Sequence, residues 1–364
     1  MESIVKAAVL RAVGEPLQVE DVAISKPGPR EVLIRAAATG VCHSDLHFVE
    51  GHYPTALPTV LGHECAGIVE QVGSEVRTVA PGDHVVTCLS AFCGHCEFCV
   101  GGHLSLCNEP DTQRPKDAEP RLGTADASMA QFLNLSAFAE QLLIHENACV
   151  KIRKDMPLDR AALLGCATIT AYGSIVRTAE VRPGQSVAVI GCGGVGLSTI
   201  NAAQIAGAGR IIAIDMVAEK EQLARDFGAT DFIDASEGDV WKKVLGLTNG
   251  GVDHAFEAIG RADTASDAFR MLRRRGIATV IGMIPVGQKV TLNGYELLQE
   301  KQLRGSMMGS NQFPVDIPRL VDFYMAGKLK LDEMISRRIQ LSQVNEAFEE
   351  MKGGKIARSV ITFD

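Results

Sequence analysis

The sequence predicts an α/β protein with two domains, and three observations support that prediction. The chain has 364 residues, which is too long for one compact hydrophobic core to be the default. Residues 1 to about 165 contain short β-rich segments bounded by turn residues such as Pro27-Gly28-Pro29 and Pro81-Gly82, which favours a barrel-like or sandwich-like region. From Ser186 onward, apolar strands alternate with helical segments, and this pattern is typical of a doubly wound parallel sheet.

Composition excludes several classes of protein. The formal net charge is −8, which gives no electrostatic footprint for nucleic acid, so we expect no nucleic-acid partner. No apolar run approaches the ~18 residues of a membrane span, and the N-terminus lacks the basic lead of a signal peptide. We therefore expect a cytoplasmic protein with no membrane partner. In such a chain, clustered cysteines are more often metal ligands than disulfides.

Four of the ten cysteines follow the pattern Cys93-x2-Cys96-x2-Cys99-x7-Cys107. Four thiols at this spacing can enclose one zinc ion in a tetrahedral site with no open position, which predicts structural zinc. The alternative is an iron–sulfur cluster. Its bacterial ferredoxin spacing has three residues before the last cysteine and a proline after it, whereas Asn108 follows Cys107 here.

A second group of polar residues lies earlier in the chain. Cys42-His43-Ser44-Asp45-Leu46-His47 is followed by Gly62-His63-Glu64, in which His63 lies sixteen positions after His47. A thiolate and an imidazole that meet in space are natural zinc ligands. A hydroxyl two positions from the thiol could then contact a group bound to the metal.

The apolar strand Ser186–Ile190 leads directly into Gly191-Cys192-Gly193-Gly194-Val195-Gly196 and then into a helix. The next strand ends at Asp215, at the distance that a dinucleotide-binding fingerprint requires. In that fingerprint the glycines let the backbone approach a pyrophosphate at the helix N-terminus. An acid at position 215 would accept hydrogen bonds from the adenosine ribose, and no basic residue follows before Lys220. These features favour NAD over NADP.

The sequence also predicts where helices lie around these motifs. Apolar spacing predicts one helix from Leu158 to Ala179, which includes Cys166. After Gly309 we expect helices at Val315–Met325 and Ser342–Lys352, with Ser342 as the N-cap of the second.

Together these motifs resemble the zinc-dependent alcohol dehydrogenases of the medium-chain dehydrogenase/reductase superfamily, over essentially the full length. The resemblance rests on the motifs at 40–45, 62–64, 164–166 and 191–196, Asp215, the four-cysteine lobe and Ala357-Arg358-Ser359. It implies a GroES-like catalytic domain at residues 1–167 and 309–364, with a structural-zinc lobe at 90–110. It also implies a Rossmann NAD-binding domain at residues 168–308.

The resemblance implies roles for the motif residues. Cys42, His63 and Cys166 would bind a catalytic zinc, with Asp45 orienting His63. Glu64 would tune or transiently replace a ligand, or have only a structural role. Ser44 would pass a proton to His47 for release to solvent, the alternative for His47 being a surface histidine. The resemblance thus predicts two zinc ions per subunit.

The remaining implied roles concern cofactor and substrate. His43 replaces an arginine that is common in the animal enzymes, which should loosen NADH, and Arg358 resembles a remaining phosphate contact. The cofactor loop would comprise Gly191, Gly193, Gly194, Val195 and Gly196, with Asp215 and Lys220 beyond it. Four apolar residues would line the substrate pocket, although core packing is the alternative for each: Leu89, Phe138, Met283 and Met307.

The predicted function is reversible hydride transfer between a primary, hydrophobic or aromatic alcohol and NAD. Alternatives are a glutathione-dependent formaldehyde dehydrogenase, an aldehyde dismutase, and a non-catalytic NAD-binding or zinc-storage protein. Tyr53 stands where the glutathione-dependent branch has an acid, which argues against that alternative. The long segment after Cys107 resembles the dimeric members, so we expect a homodimer joined through the strand around Arg304–Met308.

Overall fold

A computed structural model describes residues 3–115, 117–124, 127–354 and 357–363. The chain divides into two compact units, which we call unit 1 and unit 2. Unit 1 consists of Met1–Cys166, Gln312–Met325 and Leu331–Asp364. Unit 2 consists of Ala167–Asn311 and the short return Ala326–Lys330, which nothing in the sequence analysis anticipated.

The β-strands follow the chain in the order β1 (Ser3–Leu10), β2 (Gln18–Ile24), β3 (Glu31–Val41), β4 (Thr59–Val60), β5 (Cys65–Val72), β6 (His84–Thr87), β7 (Leu122–Gly123), β8 (Ser128–Gln131), β9 (Gln141–His145), β10 (Cys149–Ile152), β11 (Ser186–Ile190), β12 (Arg210–Asp215), β13 (Asp231–Asp234), β14 (Val252–Glu257), β15 (Leu272–Val280), β16 (Gln302–Gly305), β17 (Ile335–Ile339) and β18 (Arg358–Thr362).

The α-helices are α1 (His43–Val49), α2 (Glu97–Val100), α3 (Leu158–Ala161), α4 (Ala167–Gly173), α5 (Gly194–Ile205), α6 (Glu221–Asp226), α7 (Val240–Thr248), α8 (Ala262–Arg270), α9 (Gly294–Leu297), α10 (Phe313–Met325) and α11 (Val344–Lys352). Short 3-10 helices lie at Leu104–Leu106, Pro110–Thr112, Phe132–Asn134, Glu146–Ala148, Ala162–Gly165, Ala218–Lys220, Ala235–Glu237, Met307–Ser310 and Leu341–Gln343, and a π-helix at Ser174–Thr178.

Unit 1 contains two β structures. Strands β1, β2, β7, β8 and β4 close into a small barrel, and a second sheet has the order β10-β6-β5-β3-β18-β17 with β9 also paired to β3. Strand β3 is buried along most of its length because both sides of the strand are paired and apolar side chains cover it. It ends at Val41, so it delivers the next residue, Cys42, into the interior.

Unit 2 is a doubly wound sheet. Its strands run parallel in the order β13-β12-β11-β14-β15-β16. Numbered within the unit, this order is 3-2-1-4-5-6, in which the winding direction reverses between β11 and β14. Ligands of such sheets bind outside the carboxyl ends of the strands at this reversal. The predicted fold class, a GroES-like β-rich domain with a Rossmann domain, is confirmed.

The predicted single helix over Leu158–Ala179 is wrong. It is divided into α3, a 3-10 segment, α4 and a π-helix, and the backbone at Cys166 leaves the helical region (φ −137°, ψ −80°). Apolar periodicity continues across the break, so the sequence pattern does not reveal it. Because of this break, Cys166 does not continue the helical geometry of the residues before it.

Two smaller expectations also differ. Helix α11 begins at Val344, two residues after the expected start, because Leu341–Gln343 forms a 3-10 helix and Gln343, not Ser342, is the N-cap. The strand expected around Arg304–Met308 is β16, which ends at Gly305. In the part of the chain that the structure describes, no helix is long and apolar enough to cross a bilayer.

Candidate active site

Helix α1 positions several of the predicted site residues. Cys42 is its N-cap in an extended conformation, Asp45 lies in its first turn, and His47 lies in its last turn. Because Ser44 and His47 are three residues apart on this helix, they lie on neighbouring positions of one face. The local fold of six residues therefore brings a thiol, a hydroxyl and an imidazole to one end of β3.

Asp45 makes two sets of contacts from the interior of unit 1. Its Oδ2 accepts a hydrogen bond from the N–H of Cys42 at 3.2 Å, which caps the helix. Its Oδ1 accepts from the Nδ1 of His63 at 2.8 Å and from the N–H of Gly62 at 3.3 Å. Because Nδ1 is bound to Asp45, the Nε2 of His63 is the nitrogen available to a metal.

The three predicted catalytic ligands converge. The Nε2 of His63 lies 3.3 Å from the Sγ of Cys166, and the ligand atoms of Cys42, His63, Glu64 and Cys166 all lie within 4.8 Å of one another. With Zn–N and Zn–S bonds of about 2.0 and 2.3 Å, a tetrahedral site separates N from S by about 3.5 Å. The donor set and its spacing therefore fit zinc, and two thiols with one imidazole leave a fourth position open.

The electrostatic surroundings of this cluster favour a thiolate. A hydrogen bond from Cys166 lowers the pKa of Cys42 well below its ordinary value, against the opposing effect of burial, and the charges of Arg358 and His63 act in the same direction. Arg358 donates from Nη2 to Glu64 Oε1 at 2.9 Å and lies 3.4 Å from the Sγ of Cys42. Burial raises the pKa of Glu64 to about 7, although Arg358 opposes that shift.

Arg358 therefore has a role that the sequence analysis did not assign. It was expected only as a phosphate contact, but its side chain is 4% exposed and forms a buried ion pair with Glu64, beside Cys42. The phosphate contact stays a prediction. Glu64 is held by this pair, with its Oε2 lacking a hydrogen-bond partner among the described residues.

The four cysteines of the predicted structural-zinc lobe also converge. The Sγ atoms of Cys93 and Cys99 are 3.8 Å apart, and those of Cys96 and Cys107 are 4.0 Å apart. Sulfur atoms at the corners of a tetrahedral zinc site are about 3.8 Å apart for Zn–S bonds of about 2.3 Å. Burial opposes ionisation of Cys93, but the backbone N–H groups of His95 and Cys96 lower its pKa to about 6. The geometry fits a closed zinc site.

The glycine-rich loop in unit 2 connects β11 to α5. Gly193 is the N-cap of α5, and no side chain caps this helix in the described structure. A Cβ on Gly196 would lie 1.7 Å from the carbonyl oxygen of Gly191, so only glycine allows the helix to pack this closely against the loop. The uncapped N–H groups and the close packing match a pyrophosphate site.

Asp215 connects the tip of β12 to this loop. Its carboxylate accepts hydrogen bonds from the N–H of Cys192 at 2.7 Å and from the N–H of Val217 at 3.0 Å. The Nζ of Lys220 lies 3.1 Å from the same carboxylate. Lys220 therefore neutralises part of the charge of Asp215, a relationship that sequence spacing alone did not reveal.

The predicted proton-transfer residues lie beside the first cluster. The Oγ of Ser44 is 3.6 Å from the Sγ of Cys42. His47 is half-buried, and this burial lowers its pKa below the ordinary value, with the neighbouring His43 and His52 acting in the same direction. The rings of His43 and His47 meet edge-on with centroids 5.1 Å apart. His43 is exposed at the start of α1.

The four predicted pocket residues divide between the two units. In unit 1, Leu89 is half-buried, whereas Phe138 is fully buried with its ring 6.3 Å from that of Phe348, which favours core packing for Phe138. In unit 2, Met283 is half-buried and Met307 is 61% exposed. Their role in substrate binding stays a prediction.

Sequence analysis missed three residues near the sites. Phe132 lies with its ring centroid 6.3 Å from that of His63 and packs edge-on against Phe48 at 4.8 Å. Glu257 is fully buried at the end of β14 and accepts hydrogen bonds from the N–H groups of Ile259 and Gly260. An acid directly after the apolar pair Ala255-Phe256, near the end of a predicted strand, was a visible signal for Glu257, whereas the two phenylalanines resembled ordinary core residues.

Two family models match the chain. Residues 28–154 match the alcohol dehydrogenase GroES-like domain, and residues 194–324 match the zinc-binding dehydrogenase model. The first match contains Cys42 and His63, and the second begins within the glycine-rich loop.

Solved structures agree with these matches. An alcohol dehydrogenase zinc-binding domain protein from Burkholderia ambifaria is 36% identical, with a TM-score of 0.94 over 100% of this chain and 99% of the other. Benzyl alcohol dehydrogenase from Acinetobacter calcoaceticus is 31% identical, with a TM-score of 0.94 over the full length of both chains. A zinc-binding dehydrogenase from Sinorhizobium meliloti 1021, solved with NADP bound, is 30% identical, with a TM-score of 0.84 over the full length of both.

Proposed function

Because the chain belongs to the zinc-binding alcohol dehydrogenases of the medium-chain dehydrogenase/reductase superfamily, we propose that it oxidises primary alcohols to aldehydes, reversibly, with NAD as hydride acceptor. The family makes it an oxidoreductase that uses zinc and a nucleotide cofactor. The observation that supports the proposal most is the convergence of Cys42, His63 and Cys166 in the interior of unit 1. Two thiols and one imidazole form the donor set of a catalytic zinc site with an open position.

Each residue of the proposed site has a defined task. Cys42, His63 and Cys166 hold the catalytic zinc, and the four cysteines of the lobe hold a second one. When bound, zinc acts as a Lewis acid that favours the ionised form of a hydroxyl group in its open position. Asp45 keeps His63 in the tautomer that presents Nε2, and Ser44 takes the alcohol proton and passes it towards His47. A half-buried histidine with a lowered pKa releases that proton readily near neutral pH.

The preference for NAD rests on Asp215. A carboxylate at the tip of β12 accepts hydrogen bonds from ribose hydroxyls and repels a 2′-phosphate. Lys220 reduces this repulsion because its Nζ lies 3.1 Å from the carboxylate, and a neighbour in the family binds NADP. We therefore propose a preference for NAD that depends on Asp215.

The proposed substrate is a hydrophobic or aromatic primary alcohol. Phe132 and Phe48 give the surroundings of His63 an apolar character, which favours an apolar group over a polyol. The similarity to a benzyl alcohol dehydrogenase supports an aromatic alcohol. Formaldehyde with glutathione, and dismutation of an aldehyde without added NAD, are the alternatives that the assay must separate.

We also propose a homodimer. Strand β16 lies at the edge of the unit 2 sheet, where one side of its backbone is paired with β15. An unpaired strand edge can form backbone hydrogen bonds with another strand. We propose that the free edge of β16 pairs with a second copy of this chain. Size-exclusion chromatography with light scattering gives the mass that tests this.

The central experiment measures NADH formation with NAD and alcohols from ethanol through octanol to benzyl alcohol. Cys42→Ala should abolish activity and lower the zinc content by one ion per chain. Cys149→Ala is the matched control, because Cys149 is buried but outside both cysteine clusters. If no alcohol gives NADH although both zinc ions are bound, the alcohol proposal is contradicted, and formaldehyde with glutathione is the next substrate to test.

A further inference from the structure

The end of helix α1 brings His47 together with two polar residues, Glu50 and His52, that no part of the proposed reaction uses. The helix stops at Glu50, its C-cap, and Gly51 follows with φ +76°. The N–H of His52 donates to the carbonyl of His47 at 2.9 Å, and the N–H of Gly51 donates to the carbonyl of Phe48 at 3.2 Å. These two hydrogen bonds define a Schellman motif.

The motif determines which side chains meet. In a Schellman motif the N–H of the second residue after the cap donates to the carbonyl of the residue five positions before it, and the side chains of this part of the turn often form an apolar contact. Here these two positions hold His52 and His47, so the cap brings two imidazoles together. Their Nδ1 atoms are 3.1 Å apart, and the ring centroids are 5.3 Å apart.

A carboxylate completes the group. The Oε2 of Glu50 lies 3.7 Å from the Nδ1 of His52, and one ligand atom from each of His47, Glu50 and His52 lies within 4.8 Å of the others. Ligand atoms of a tetrahedral zinc site with bonds of about 2.0–2.1 Å are about 3.3 Å apart. The observed 3.1 and 3.7 Å lie close to this value, and Glu50 and His52 are exposed, so their side chains can rotate to adjust the remaining distances.

We propose that His47, Glu50 and His52 form a third metal site, which binds a divalent transition-metal ion such as Zn²⁺ and inhibits turnover. Imidazole and carboxylate are suitable ligands for Zn²⁺, Ni²⁺ and Cu²⁺, whereas Mg²⁺ and Ca²⁺ prefer sites made of oxygen atoms. The site differs from the two cysteine-containing clusters because it lies near the surface and contains no thiol. It is therefore the weakest of the three and responds to the free metal concentration.

The inhibitory effect rests on the proposed function. If His47 releases the alcohol proton, a metal ion on its Nδ1 removes a ring nitrogen from proton exchange and fixes the ring in place. Lys352 competes for the carboxylate, because its Nζ lies 3.6 Å from the Oε1 of Glu50. The same lysine contacts Glu349 at 2.8 Å, so it retains a partner when Glu50 turns to a metal.

The experiment uses the fully zinc-loaded protein and measures metal binding separately from activity. Equilibrium dialysis against buffered Zn²⁺, followed by elemental analysis, should show a third zinc per wild-type chain. His52→Gln and Glu50→Gln should bind this third ion at least about tenfold more weakly, since loss of even an outer partner of a metal site costs about 10–100-fold. His84→Gln, which removes a half-buried histidine outside the group and outside the four-cysteine lobe, should bind it like the wild type.

Turnover measured in the same buffers completes the test. Inhibition should follow occupancy of the third site, reverse with a mild chelator and disappear in His52→Gln. A wild-type chain that binds only two zinc ions, or a His52→Gln chain that binds the third equally well, overturns the proposal. Inhibition that persists unchanged in His52→Gln overturns it too. An enzyme inactive on every alcohol contradicts the proposed function instead, and the binding measurement still decides on the site.

Discussion

Asp45 and His63 are joined by a 2.8 Å hydrogen bond between Oδ1 and Nδ1, in an interior where neither side chain is more than 1% exposed. The same aspartate caps helix α1 through the N–H of Cys42. One carboxylate therefore orients two metal ligands that lie 21 positions apart in the sequence, one through its ring and the other through its backbone.

Asp45→Asn should weaken binding of the catalytic zinc. The amide oxygen can still accept from His63, but its NH2 group then faces the N–H of Cys42, and the negative charge is lost. Loss of an outer partner of this kind costs about 10–100-fold in metal affinity. Competition with a chromophoric chelator measures the change. Asp83→Asn is the matched control, since Asp83 accepts from the N–H of Ala80 and pairs with Lys151, neither of which is a proposed zinc ligand; equal zinc retention in both variants would refute the role of Asp45.

Asp215→Ala should raise the ratio of kcat/KM for NADP to that for NAD by about tenfold or more, which corresponds to about 1.4 kcal/mol. The substitution removes the repulsion of a 2′-phosphate and frees Lys220, now 3.1 Å from the carboxylate, to attract it. Steady-state kinetics with both cofactors provide the ratio. Adding Lys220→Ala should remove most of the gain. If the single variant leaves the ratio unchanged, Asp215 does not determine the cofactor.

Glu31→Gln should destabilise unit 1 by about 3–5 kcal/mol, the cost of leaving buried charges without a partner. Glu31 is 5% exposed, and its Oε1 accepts from the Nε of Arg121 at 2.7 Å and from the Nε of Arg114 at 2.9 Å. Urea unfolding measures the change. Glu20→Gln breaks the more exposed pair with Arg11 and should cost no more than about 1 kcal/mol. If the two variants lose similar amounts of unfolding free energy, burial of the Glu31 cluster does not determine how much the cluster stabilises the protein.

His145 should make the protein less stable as the pH falls from about 6.5 to about 4. Burial lowers the pKa of His145 to about 4, from an ordinary value of 6.5. In this range the unfolded chain binds a proton that the folded chain does not, so protonation favours unfolding, by on the order of 2 kcal/mol in total.

His145→Asn isolates this effect from other acid-sensitive groups. Asparagine can still accept the hydrogen bond that the N–H of Asn147 donates to Nδ1 at 3.0 Å. The free energy of unfolding, measured by urea titration between pH 4 and 7, should depend less steeply on pH in the variant. Identical slopes for the two proteins would mean that His145 takes up its proton equally in both states.

Sequence predicted those parts of the site that depend on spacing along a single stretch of chain. The glycine-rich loop lies between a strand and a helix, and the four cysteines lie within fifteen residues, so local order nearly determines their geometry. The catalytic ligands are far apart in sequence, and they were assigned through resemblance to a family rather than from spacing.

Three features could not be predicted, each for a physical reason. The ion pair of Glu64 with Arg358 joins residues 294 positions apart, and no periodic pattern connects them. The break at Cys166 interrupts a segment whose apolar period continues, so tertiary packing overrides helix propensity. The meeting of His47 with His52 depends on Gly51 with its positive φ, a turn that the sequence permits without requiring it.

The pairing of β18 with β3 has a consequence for biosynthesis. Ser359–Thr362 pair with Ala38–Val41, the residues that lead into Cys42, and nearly all of unit 2 is translated between these two segments. At ordinary translation rates the interval is on the order of tens of seconds. During that time the carboxyl end of β3, at Ala38–Val41, lacks its final neighbour on one side and is open to pairing with other chains. We therefore expect the zinc-binding unit to mature last, after the nucleotide-binding unit has folded on the ribosome.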